Sequence, residues 1–404
     1  MEVKQGYKET EVGVIPEDWD VARLKDLTTL ITDGAHLSPP TEKNGYPIAT
    51  VENINKGYID LDSCRVISSK DYQYLVRNNC KPLIGDVLLS KDGTIGITFP
   101  IDKEEDVVLL SSIAIIRPQK EKLDSVFLSK SLSSEWFYVF LDRVKAGSAL
   151  TRIVLRDISK YVFPLPPTKA EQTAIATALS DADALINSLE KLIAKKRNIK
   201  QGAMQQLLKP KEGWELKKLG EIAEIVGGGT PSSFIPHYWN GTINWFTPTE
   251  VGMSKYTFES VRKITKEGFI NCSGKMLPVG TILLTTRAGI GDLSILMIEA
   301  CTNQGFQSLI AKAGHYNEFL YYLMQTLKNV LIQNASGSTF LEISPNKIRQ
   351  IEISIPSYEE QTRIATILSD MDAEILALET KLEKYRKIKL GMMQNLLTGK
   401  IRLV

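Results

Sequence analysis

The chain has 404 residues, with 49 lysines and arginines against 47 aspartates and glutamates, which leaves a formal net charge of +2. This balance lacks the strongly basic character of a typical nucleic-acid-binding domain, although it allows a local basic face. With 43% hydrophobic and 24% charged residues, the composition is that of a folded globular protein. The longest uncharged apolar run, Val107–Ile116, is too short to span a membrane.

The termini and the cysteines bound the cellular setting. The N-terminal sequence is polar and mixed in charge, so it does not predict a signal peptide. Four cysteines are scattered without a Cys-x-x-Cys pair, which disfavours a disulfide framework or a zinc site. Three scattered histidines offer little material for a metal centre. We therefore expect a cytoplasmic protein without a metal site of its own.

Two stretches of the chain repeat each other. Residues 167–211 and 356–400 align without a gap at an offset of 189, and 25 of the 45 aligned positions are identical. The parts before them match more loosely, as in GDVLLSKDGTIG at 85–96 and GTILLTTRAGIG at 280–291. The chain thus alternates a diverged globular domain with a nearly constant helix. The predicted segments are an N-terminal segment at 1–18 that packs near the C-terminus, a globular domain at 19–165, a conserved helix at 166–211, a second globular domain at 212–355 and a second conserved helix at 356–404.

Within the globular domains the pattern predicts mixed α and β structure. Asp86–Leu89 and Thr281–Leu284 are typical of short buried strands that enter glycine-containing turns. Val107–Ile116 predicts another strand. Leu123–Val144 and Tyr316–Ile332 have helical periodicity.

The two constant segments predict helices of about 40 residues, or about 60 Å at 1.5 Å per residue. Their apolar residues recur at alternating spacings of four and three, the heptad pattern of two helices packed side by side. Antiparallel packing would return the second helix to the first domain. The predicted fold class is therefore α+β, with two mixed α/β domains, an antiparallel coiled coil and an internal pseudo-two-fold repeat. The predicted coiled-coil seam consists of Ile175, Leu179, Ala182, Ile186, Leu189, Ile193, Ile364, Leu368, Met371, Ile375, Leu378 and Leu382.

A search for catalytic motifs finds none that is complete. Gly227–Ser232 could hold an anion through its amides, but it lacks the Gly-Lys-Ser/Thr that completes a phosphate loop. Gly289 and Gly291 lack the third glycine of a dinucleotide fingerprint, and there is no His-Glu-x-x-His zinc motif. The sequence predicts a chain without catalytic residues. An enzyme that uses Gly227–Ser232 for a nucleotide is the least favoured alternative.

Each constant helix becomes basic in its second half, and both copies keep the cluster at matching positions. A charge run alone is more often a solvated helix face. The duplication favours contacts to a phosphate backbone, which cationic side chains bind without regard to sequence. The candidate phosphate-binding residues are Arg152, Lys195, Lys196, Arg197, Lys200, Lys384, Arg386, Lys387 and Lys389.

Matched turns of the two domains carry different polar residues. Lys91-Asp92 stands where Thr286-Arg287 stands, and His36-Leu37-Ser38 lies near the place of Thr230-Pro231-Ser232. Variable polar turns on a common scaffold suit readout of base edges. The alternative is that loops vary because they tolerate change. The candidate base-reading residues are His36, Ser38, Lys91, Asp92, Thr230, Ser232, Ser233, Thr286 and Arg287.

With these features the chain closely resembles the specificity (S) subunits of type I DNA restriction-modification enzymes. The PxxxEQTxIAxxLSDxDAxI pattern occurs at both 167–186 and 356–375. The resemblance extends to GAMQQLL at 202–208, GMMQNLLTGKIRLV at 391–404, the openings TEVGVIPEDWDVARL and EGWELKKLGEI, and GGGTPSSFIPHYWNGTINW at 227–245. It covers essentially the whole chain.

The resemblance implies a division of labour. In such a subunit two target recognition domains each read one half of a split, asymmetric double-stranded DNA sequence. The two conserved helices form an antiparallel coil that sets the spacer and docks two methyltransferase subunits. Translocase-nuclease subunits complete the complex, and S-adenosylmethionine, ATP and magnesium belong to the partner subunits, so this chain needs no cofactor. The main alternative is a coiled-coil adaptor whose two globular ends bind proteins and no DNA.

Overall fold

A computed structural model describes residues 4–55, 57–144, 152–287, 289–337 and 341–403. The chain divides into two compact units. The first unit contains Met1–Glu190 and Thr380–Val404, and the second contains Lys191–Glu379. Each of the two long helices therefore contributes one part to each unit. No helix in the described ranges is both long enough and apolar enough to cross a membrane.

Among the described residues, short strands and five helices lie between the N-terminus and Leu207, and the last of these helices continues into the second unit. The strands are β1 Tyr7–Thr10, β2 Gly13–Pro16, β3 Asp20–Arg23, β4 Thr28–Asp33, β5 Tyr46–Ala49, β6 Ile54–Asn55, β7 Tyr58–Ile59, β8 Arg65–Ile67, β9 Val87–Ser90, β10 Thr98–Pro100, β11 Val108–Leu109, β12 Ile113–Pro118 and β13 Val162–Leu165. The helices are α1 Ser69–Arg77, α2 Ser125–Leu132, α3 Glu135–Val144, α4 Leu155–Ile158 and α5 Lys169–Leu207. Short 3-10 helices lie at Leu24–Leu27, Val51–Asn53 and Leu61–Ser63.

The second unit is built from the same kinds of element. Its strands are β14 Glu215–Lys218, β15 Ala223–Gly227, β16 Trp239–Phe246, β17 Tyr256–Thr257, β18 Arg262–Ile264, β19 Ile282–Leu284, β20 Leu293–Leu296, β21 Ala300–Thr302, β22 Gln307–Ala311 and β23 Glu352–Ile355. Its helices are α6 Leu219–Ile222, α7 Lys266–Ile270, α8 Asn317–Thr326, α9 Lys328–Asn334, α10 Pro345–Arg349 and α11 Tyr358–Leu396, with 3-10 helices at Pro236–Tyr238 and Pro248–Glu250.

The sheets of the two units have the same topology. The first unit has an antiparallel sheet in the order β4-β12-β9-β10, and the second unit has β15-β22-β19-β20 with β17 added in parallel at the edge. A second sheet, β8-β5-β11 or β18-β16-β21, joins an antiparallel pair to a parallel pair in both units. Each unit also contains a two-stranded antiparallel ribbon, β3-β13 in the first unit and β14-β23 in the second. The repeat that the sequence predicts for the diverged domains is thus present in their strand order.

The structure refines the predicted elements. The strand predicted at Val107–Ile116 is two strands, β11 and β12, which lie in different sheets. A turn separates them, in which the Ile113 N–H donates to the Leu110 carbonyl. The helix predicted at Leu123–Val144 is also split, because the Ser134 hydroxyl accepts from the Phe137 N–H and begins α3. The helix predicted at Tyr316–Ile332 divides at Leu327 into α8 and α9, where no side chain caps the second helix.

The two long helices pack together and run antiparallel within each unit. In the first unit Asp183 pairs with Lys389, and Glu190 pairs with Arg386. Nine of the predicted seam residues are buried, and Ala182, Met371 and Leu378 are half buried. The predicted fold class, two mixed α/β domains with two long packed helices, is confirmed.

The first turns of the long helices belong to the cores of the globular units as well as to the helix pair. Ile175 and Leu179 pack in the same cluster as Phe127 and Leu128 of α2, together with Leu396 of α11. Ile364 and Leu368 have the equivalent place in the second unit. The heptad pattern therefore also records how each helix docks on a sheet domain.

A buried glutamine fixes each docking. The side-chain oxygen of Gln172 accepts from the Asp124 N–H at 2.8 Å, and its amide donates to Pro166 O at 3.4 Å. In the second unit, the Gln361 oxygen accepts from the Tyr316 N–H at 2.9 Å, and the amide donates to a proline carbonyl at 2.9 Å. Both glutamines are 2% exposed. They are the Gln of the two EQT motifs, so this motif has a structural role.

The N-terminal segment lies against the C-terminal tail within the first unit. The Tyr7 hydroxyl donates to the carbonyls of Gly399 and Lys400 at 3.4 and 3.3 Å. Arg402 donates to Asp18 at 2.8 Å and to the buried Glu171 at 2.7 and 2.8 Å. These contacts join the two chain ends to the start of α5.

Candidate nucleic-acid interface

Lys91 and Thr286 occupy equivalent places after β9 and β19, and both point inward. Lys91 is 1% exposed, and its Nζ lies 2.9 Å from Asp33 Oδ2. Thr286 is fully buried, and its hydroxyl donates to Gly305 O at 3.1 Å. Neither side chain can reach a base edge without unpacking the core. The prediction of base reading is therefore wrong for these two residues, because a turn position that looks exposed in sequence is part of the sheet interior.

The next residue in each turn forms an ion pair with the segment before the short helix α4 or α10. Asp92 Oδ2 lies 3.9 Å from Arg152 Nε, and Arg287 lies 2.9 Å from Glu342 Oε1. The two pairs occupy equivalent positions with the charges reversed. All four side chains are between 39% and 43% exposed. These residues lie at the surface, within reach of a ligand, and each also contacts its partner.

The candidates of the first unit that follow β4 are exposed. His36 Nε2 lies 3.2 Å from Asp33 Oδ1, on the opposite oxygen from Lys91. The Ser38 hydroxyl accepts from the Arg65 guanidinium. Asp33 therefore connects a buried lysine to an exposed histidine. His36 and Ser38 remain accessible on one side.

The corresponding loop of the second unit follows β15 and carries Thr230, Ser232 and Ser233, which are all exposed. The Thr230 hydroxyl donates to Gln304 Oε1. The loop starts where two glycines pack against other backbone segments. A Cβ at Gly228 would lie 2.0 Å from the carbonyl oxygen of Asn303, so only glycine fits. The glycine motif thus serves close backbone packing and positions the polar residues after it.

Exposed apolar side chains stand beside these polar candidates. Leu37 is 86% exposed in the first unit, and Phe234 is 94% exposed in the second. Met253 and Val261 of the second unit are 92% and 87% exposed. Such side chains can contact thymine methyl groups or enter a base step, and they can also bind an apolar protein surface.

The aromatic residues of the second unit form a cation–π stack. The Arg262 guanidinium carbon lies 3.8 Å from the centre of the Trp239 ring and 5.2 Å from that of Trp245. Trp245 is 3% exposed, and its indole N–H donates to the Gly229 carbonyl at 2.8 Å. The stack ties β16 and β18 to the start of the loop that carries Thr230.

Five of the eight candidate phosphate-binding residues on the long helices pair with acidic residues of the facing helix. In the second unit, Lys196 lies 2.6 Å from Glu374. Arg197 and Lys200 pair there with Glu379 and Asp372. At the offset of 189, these last two pairs are the equivalents of Arg386–Glu190 and Lys389–Asp183 in the first unit. The duplication of the basic clusters therefore has a structural explanation, since the pairs set the register of the helices.

Three candidates on the long helices differ from the rest. Lys195, Lys384 and Lys387 are exposed, and within the part of the chain that the structure describes no acidic side chain lies within ion-pair distance of them. Lys195 and Lys384 are equivalents at the offset of 189. These lysines have the exposed charge that a phosphate contact needs.

Asp183 is the acidic residue with the most cationic surroundings in the helix pair. It accepts from Lys130 of α2 at 2.8 Å, and it pairs with Lys389 of α11. Partial burial by itself raises the pKa of Asp183, but the hydrogen bonds from Lys130 and Lys389 outweigh it and hold the pKa below its usual value. Asp372 has the equivalent place in the second unit, where the Tyr322 hydroxyl donates to it at 2.6 Å.

Several residues of structural importance are absent from the sequence-based candidates. Asp33 neutralises Lys91, Glu342 pairs with Arg287, and the glutamines of the EQT motifs dock the long helices. Only the glutamines had a signal in the sequence, namely their identity in both copies. The acidic partners had none, because they are distant in sequence from the cations that they neutralise.

Cys80 and Cys301 are buried, and Cys64 and Cys272 are half buried. Burial raises the pKa of Cys64 to about 11 and that of Cys301 to about 12, and it also raises that of Cys80. All four cysteines are free thiols. Among the described residues, no group of three or more His, Cys, Asp or Glu side chains could hold a metal ion.

Comparison with known proteins gives a family. The family model for the type I restriction modification DNA specificity domain matches residues 16–201 and again residues 211–388. The putative type I restriction enzyme MjaX specificity subunit of Methanocaldococcus jannaschii is 27% identical over 427 residues, which cover 99% of this chain and 97% of that protein. The type I restriction enzyme MjaIX specificity subunit of the same organism is 41% identical over 190 residues, which cover 46% of this chain and 44% of that protein.

Two solved structures share the fold. The type I restriction-modification system S subunit from M. genitalium superposes with a TM-score of 0.60 at 16% identity and covers 98% of both chains. A structure solved to explain complex assembly and conformational transition of the type I R-M system has a TM-score of 0.57 at 17% identity. That match covers 96% of this chain and 99% of the other. At these identities the likeness concerns the fold alone.

Proposed function

We propose that this chain, which belongs to the family of type I restriction modification DNA specificity domains, is the DNA-reading subunit of a type I restriction-modification complex. The observation that carries the proposal is the double match of the family model, one match for each of two units with the same strand order. A duplicated reader without a complete catalytic motif suits a specificity subunit. The chain itself catalyses no reaction in this proposal.

Each unit reads one half of a split double-stranded target. His36 and Ser38 in the first unit, and Thr230, Ser232 and Ser233 in the second, are exposed polar side chains on equivalent loops. Asp92 and Arg287 present opposite charges at equivalent places. Opposite charges favour different base edges, because Asp accepts from cytosine and Arg donates to guanine. The two half-sites should therefore differ in sequence, which makes the target asymmetric.

The long helices set the spacer and dock the partner subunits. In this proposal two methyltransferase subunits bind the outer faces of the helix pair, where Ile199 and Ile388 are equivalent, exposed and apolar. Lys195, Lys384 and Lys387 contact phosphates near the unread spacer. Translocase-nuclease subunits join the complex, and S-adenosylmethionine, ATP and magnesium bind to the partner subunits. No cofactor is assigned to this chain.

Selection of DNA from a random duplex library tests the proposal. The chain is co-expressed with the methyltransferase subunit of its host, and bound duplexes are sequenced. We expect two short specified blocks around an unspecified spacer. A single contiguous motif would mean that only one unit reads DNA, and a stable complex without enrichment would refute the DNA-reading role.

The helix pair offers a second test. Deletion of one heptad from each long helix, at equivalent positions, keeps the seam in register. We expect selected targets with unchanged half-sites and a shorter spacer, because the helix pair is then shorter by about 10 Å at 1.5 Å per residue. A variant that keeps the original spacer would contradict the spacer role while leaving the reading of half-sites intact.

A protein adaptor is the second candidate, and one observation favours it. Phe234, Met253 and Val261 of the second unit are almost completely exposed, as expected for loops that bind an apolar surface. The DNA selection separates the two functions. Retention of a neutral protein partner at high salt, without enrichment of any DNA, is the result that the adaptor predicts.

A further inference from the structure

The first unit contains a surface cleft that the proposed function does not use. It has a volume of about 650 Å³ and lies between α3, the segment at α4, and the ribbon of β3 and β13. It is distinct from the turns that carry His36 and Asp92. Five cationic side chains line it: Arg23, Lys25, Arg143, Arg156 and Lys160.

The cations of this cleft are poorly neutralised within the chain. Arg156 and Lys160 share one acidic neighbour, Asp157, at 4.0 and 3.0 Å. Among the described residues, no acidic side chain lies within ion-pair distance of Arg23 or Arg143, and the same holds for Lys25. Glu11 is the acidic side chain in the lining. The cleft therefore has a net positive charge that an external anion can balance.

The floor of the cleft is apolar. Trp136 and Val139 of α3 line it and are 38% and 41% exposed. Phe140 and Val162 complete this apolar surface. A phosphate backbone gains little from such a floor, because its contacts are made by protruding cations and backbone amides. Aromatic and aliphatic side chains inside a cationic rim instead suit a ligand that is both apolar and anionic.

The second unit has a cleft at the equivalent place, whose lining carries one cation, Lys347, and one carboxylate, Glu352, beside neutral residues. It has a volume of about 490 Å³ and lies against α9 and α10. At an offset of 190, Gln333, Asn346 and Gln350 stand where Arg143, Arg156 and Lys160 stand. The offset is fixed by core residues, since Leu141 and Leu331 are both buried at equivalent places.

The net charge of the lining differs between the two clefts. In the second cleft the charges of Lys347 and Glu352 cancel, and the neutral amides Asn346 and Gln350 stand where Arg156 and Lys160 stand in the first. Asn329 of the second unit even replaces Val139 of the apolar floor at the offset of 190.

We infer that the cleft of the first unit binds an acidic, amphipathic segment of a partner protein, at one site per chain. The rim of Arg23, Arg143 and Arg156 pairs with its carboxylates, and Trp136 and Val139 receive its apolar side chains. The inference goes beyond the proposed function and does not depend on it, since the cleft does not include the turns that read DNA. A partner bound here would distinguish the first unit from the second.

Binding of a defined peptide to the full chain tests the inference. The probe is a short fluorescein-labelled helical peptide with glutamates on one face and leucines spaced three and four residues apart on the other. Fluorescence anisotropy at low ionic strength measures its Kd. We expect binding at one site, and about tenfold weaker binding of a peptide of the same composition with the leucines dispersed.

Transplanted residues provide the matched variants. Arg143→Gln with Arg156→Asn and Lys160→Gln replaces three cations of the first cleft by the neutral residues that stand at these places in the second unit. We expect Kd to rise about tenfold, since each exposed ion pair is worth only a few-fold. Val139→Asn should weaken binding of the probe peptide although the charges of the cleft are intact. Lys195→Gln with Lys384→Gln and Lys387→Gln removes the same charge elsewhere and should leave Kd unchanged.

The reciprocal substitutions should add a peptide-binding site to the second unit. Gln333→Arg with Asn346→Arg, Gln350→Lys and Asn329→Val should create a second peptide site, seen as a stoichiometry of two. Circular dichroism confirms that each variant is folded. Unchanged peptide binding in the first transplant would overturn the inference. Loss of affinity for a random-sequence duplex, with peptide binding intact, would also overturn it and make the cleft a phosphate contact.

Discussion

The two units share their strand order, yet they fill the same interior position in opposite ways. In the first unit Asp33 of β4 faces Ala114 of β12 and neutralises the buried Lys91. At the equivalent place in the second unit, Gly227 of β15 faces Gln307 of β22. The small residue therefore lies on the strand where the first unit has the large one, and the large residue lies on the other strand. Thr286 then replaces the lysine without any charge. A duplicated backbone can therefore keep its sheet while its buried polar contacts are rebuilt.

The largest expected effect comes from breaking the buried pair of the first unit. Asp33→Ala leaves the Lys91 ammonium buried without a counter-charge, which costs about 3–5 kcal/mol. Because a chain with two compact units need not unfold in one step, hydrogen exchange of peptides from each unit is the appropriate measurement. We expect faster exchange in the first unit and unchanged exchange in the second.

A triple variant sharpens this result. Lys91→Thr with Asp33→Gly and Ala114→Gln gives the first unit the residues found in the second, and it removes both charges together. We expect it to recover most of the lost protection, because a buried pair contributes little net stability compared with neutral residues of suitable size. Equal protection in the single variant and the wild type would show that Lys91 is hydrated or reoriented in solution.

The docking glutamines come next in expected effect. Gln172→Ala removes the acceptor of the Asp124 N–H and the donor to Pro166 O, and each unsatisfied buried group costs about 1–3 kcal/mol. Gln361→Ala should have a similar cost in the second unit. Hydrogen exchange at the first turns of α5 and α11 measures each effect. Loss of protection in only one unit would show that the two dockings are not equivalent.

The long helices and their side-by-side packing were predictable from sequence because their signals are local. Heptad spacing, helix-forming residues and the absence of proline occur within one segment. The identity of the two copies then marked the EQT glutamines, even though their hydrogen bonds to α2 and α8 could not be read from it. Identity between the two copies thus indicated that these glutamines have a structural or functional role.

The turns were less predictable because burial depends on distant partners. Lys91 follows a strand and precedes glycines, which is typical of an exposed turn. Its burial requires Asp33 at the end of the edge strand β4, and the pairing of β4 with β12 sets the position of that residue. The run Val107–Ile116 fails as one strand for a similar reason, since two different sheets take up its two ends. The roles of the surface candidates in DNA reading stay predictions.

The reversed ion pair tests whether the difference between the units is functional. Arg287→Ala should cost less than about 1 kcal/mol in stability, because the pair with Glu342 is exposed. If Arg287 also reads a base, one half-site should lose about 1–3 kcal/mol of discrimination while the other is unchanged. Binding to duplexes with single base changes in each half-site measures both effects.

A charge swap is the matched control. Arg287→Glu with Glu342→Arg keeps an ion pair and gives it the polarity of Asp92–Arg152 in the first unit. If Arg287 reads a base, the swapped variant should lose the same base discrimination as Arg287→Ala. Full discrimination in the swapped variant would mean that Arg287 serves only to hold the turn. Equal weakening on every duplex would instead make it a phosphate contact.

The smallest expected effect concerns pH and the helix pair. The pKa of Asp183 is held below its unfolded value, because the hydrogen bonds from Lys130 and Lys389 outweigh its burial. Its stabilising contribution is therefore complete above the unfolded pKa of 3.8 and is lost as the pH falls through the lower folded pKa. Asp183→Asn should reduce stability by less than about 1 kcal/mol at neutral pH. The difference from wild type should vanish in acid.

The equivalent aspartate of the second unit completes the comparison. Asp372 meets the neutral Tyr322 hydroxyl where Asp183 meets the Lys130 ammonium, although each also pairs with a lysine of the facing helix. We expect Asp372→Asn to change protection of the second unit less at neutral pH than Asp183→Asn changes that of the first. Hydrogen exchange of both units across the acidic range measures this. An equal or larger effect of Asp372→Asn would show that hydrogen bonding, and not the second ammonium, sets the strength of the contact between the sheet domain and the helix pair.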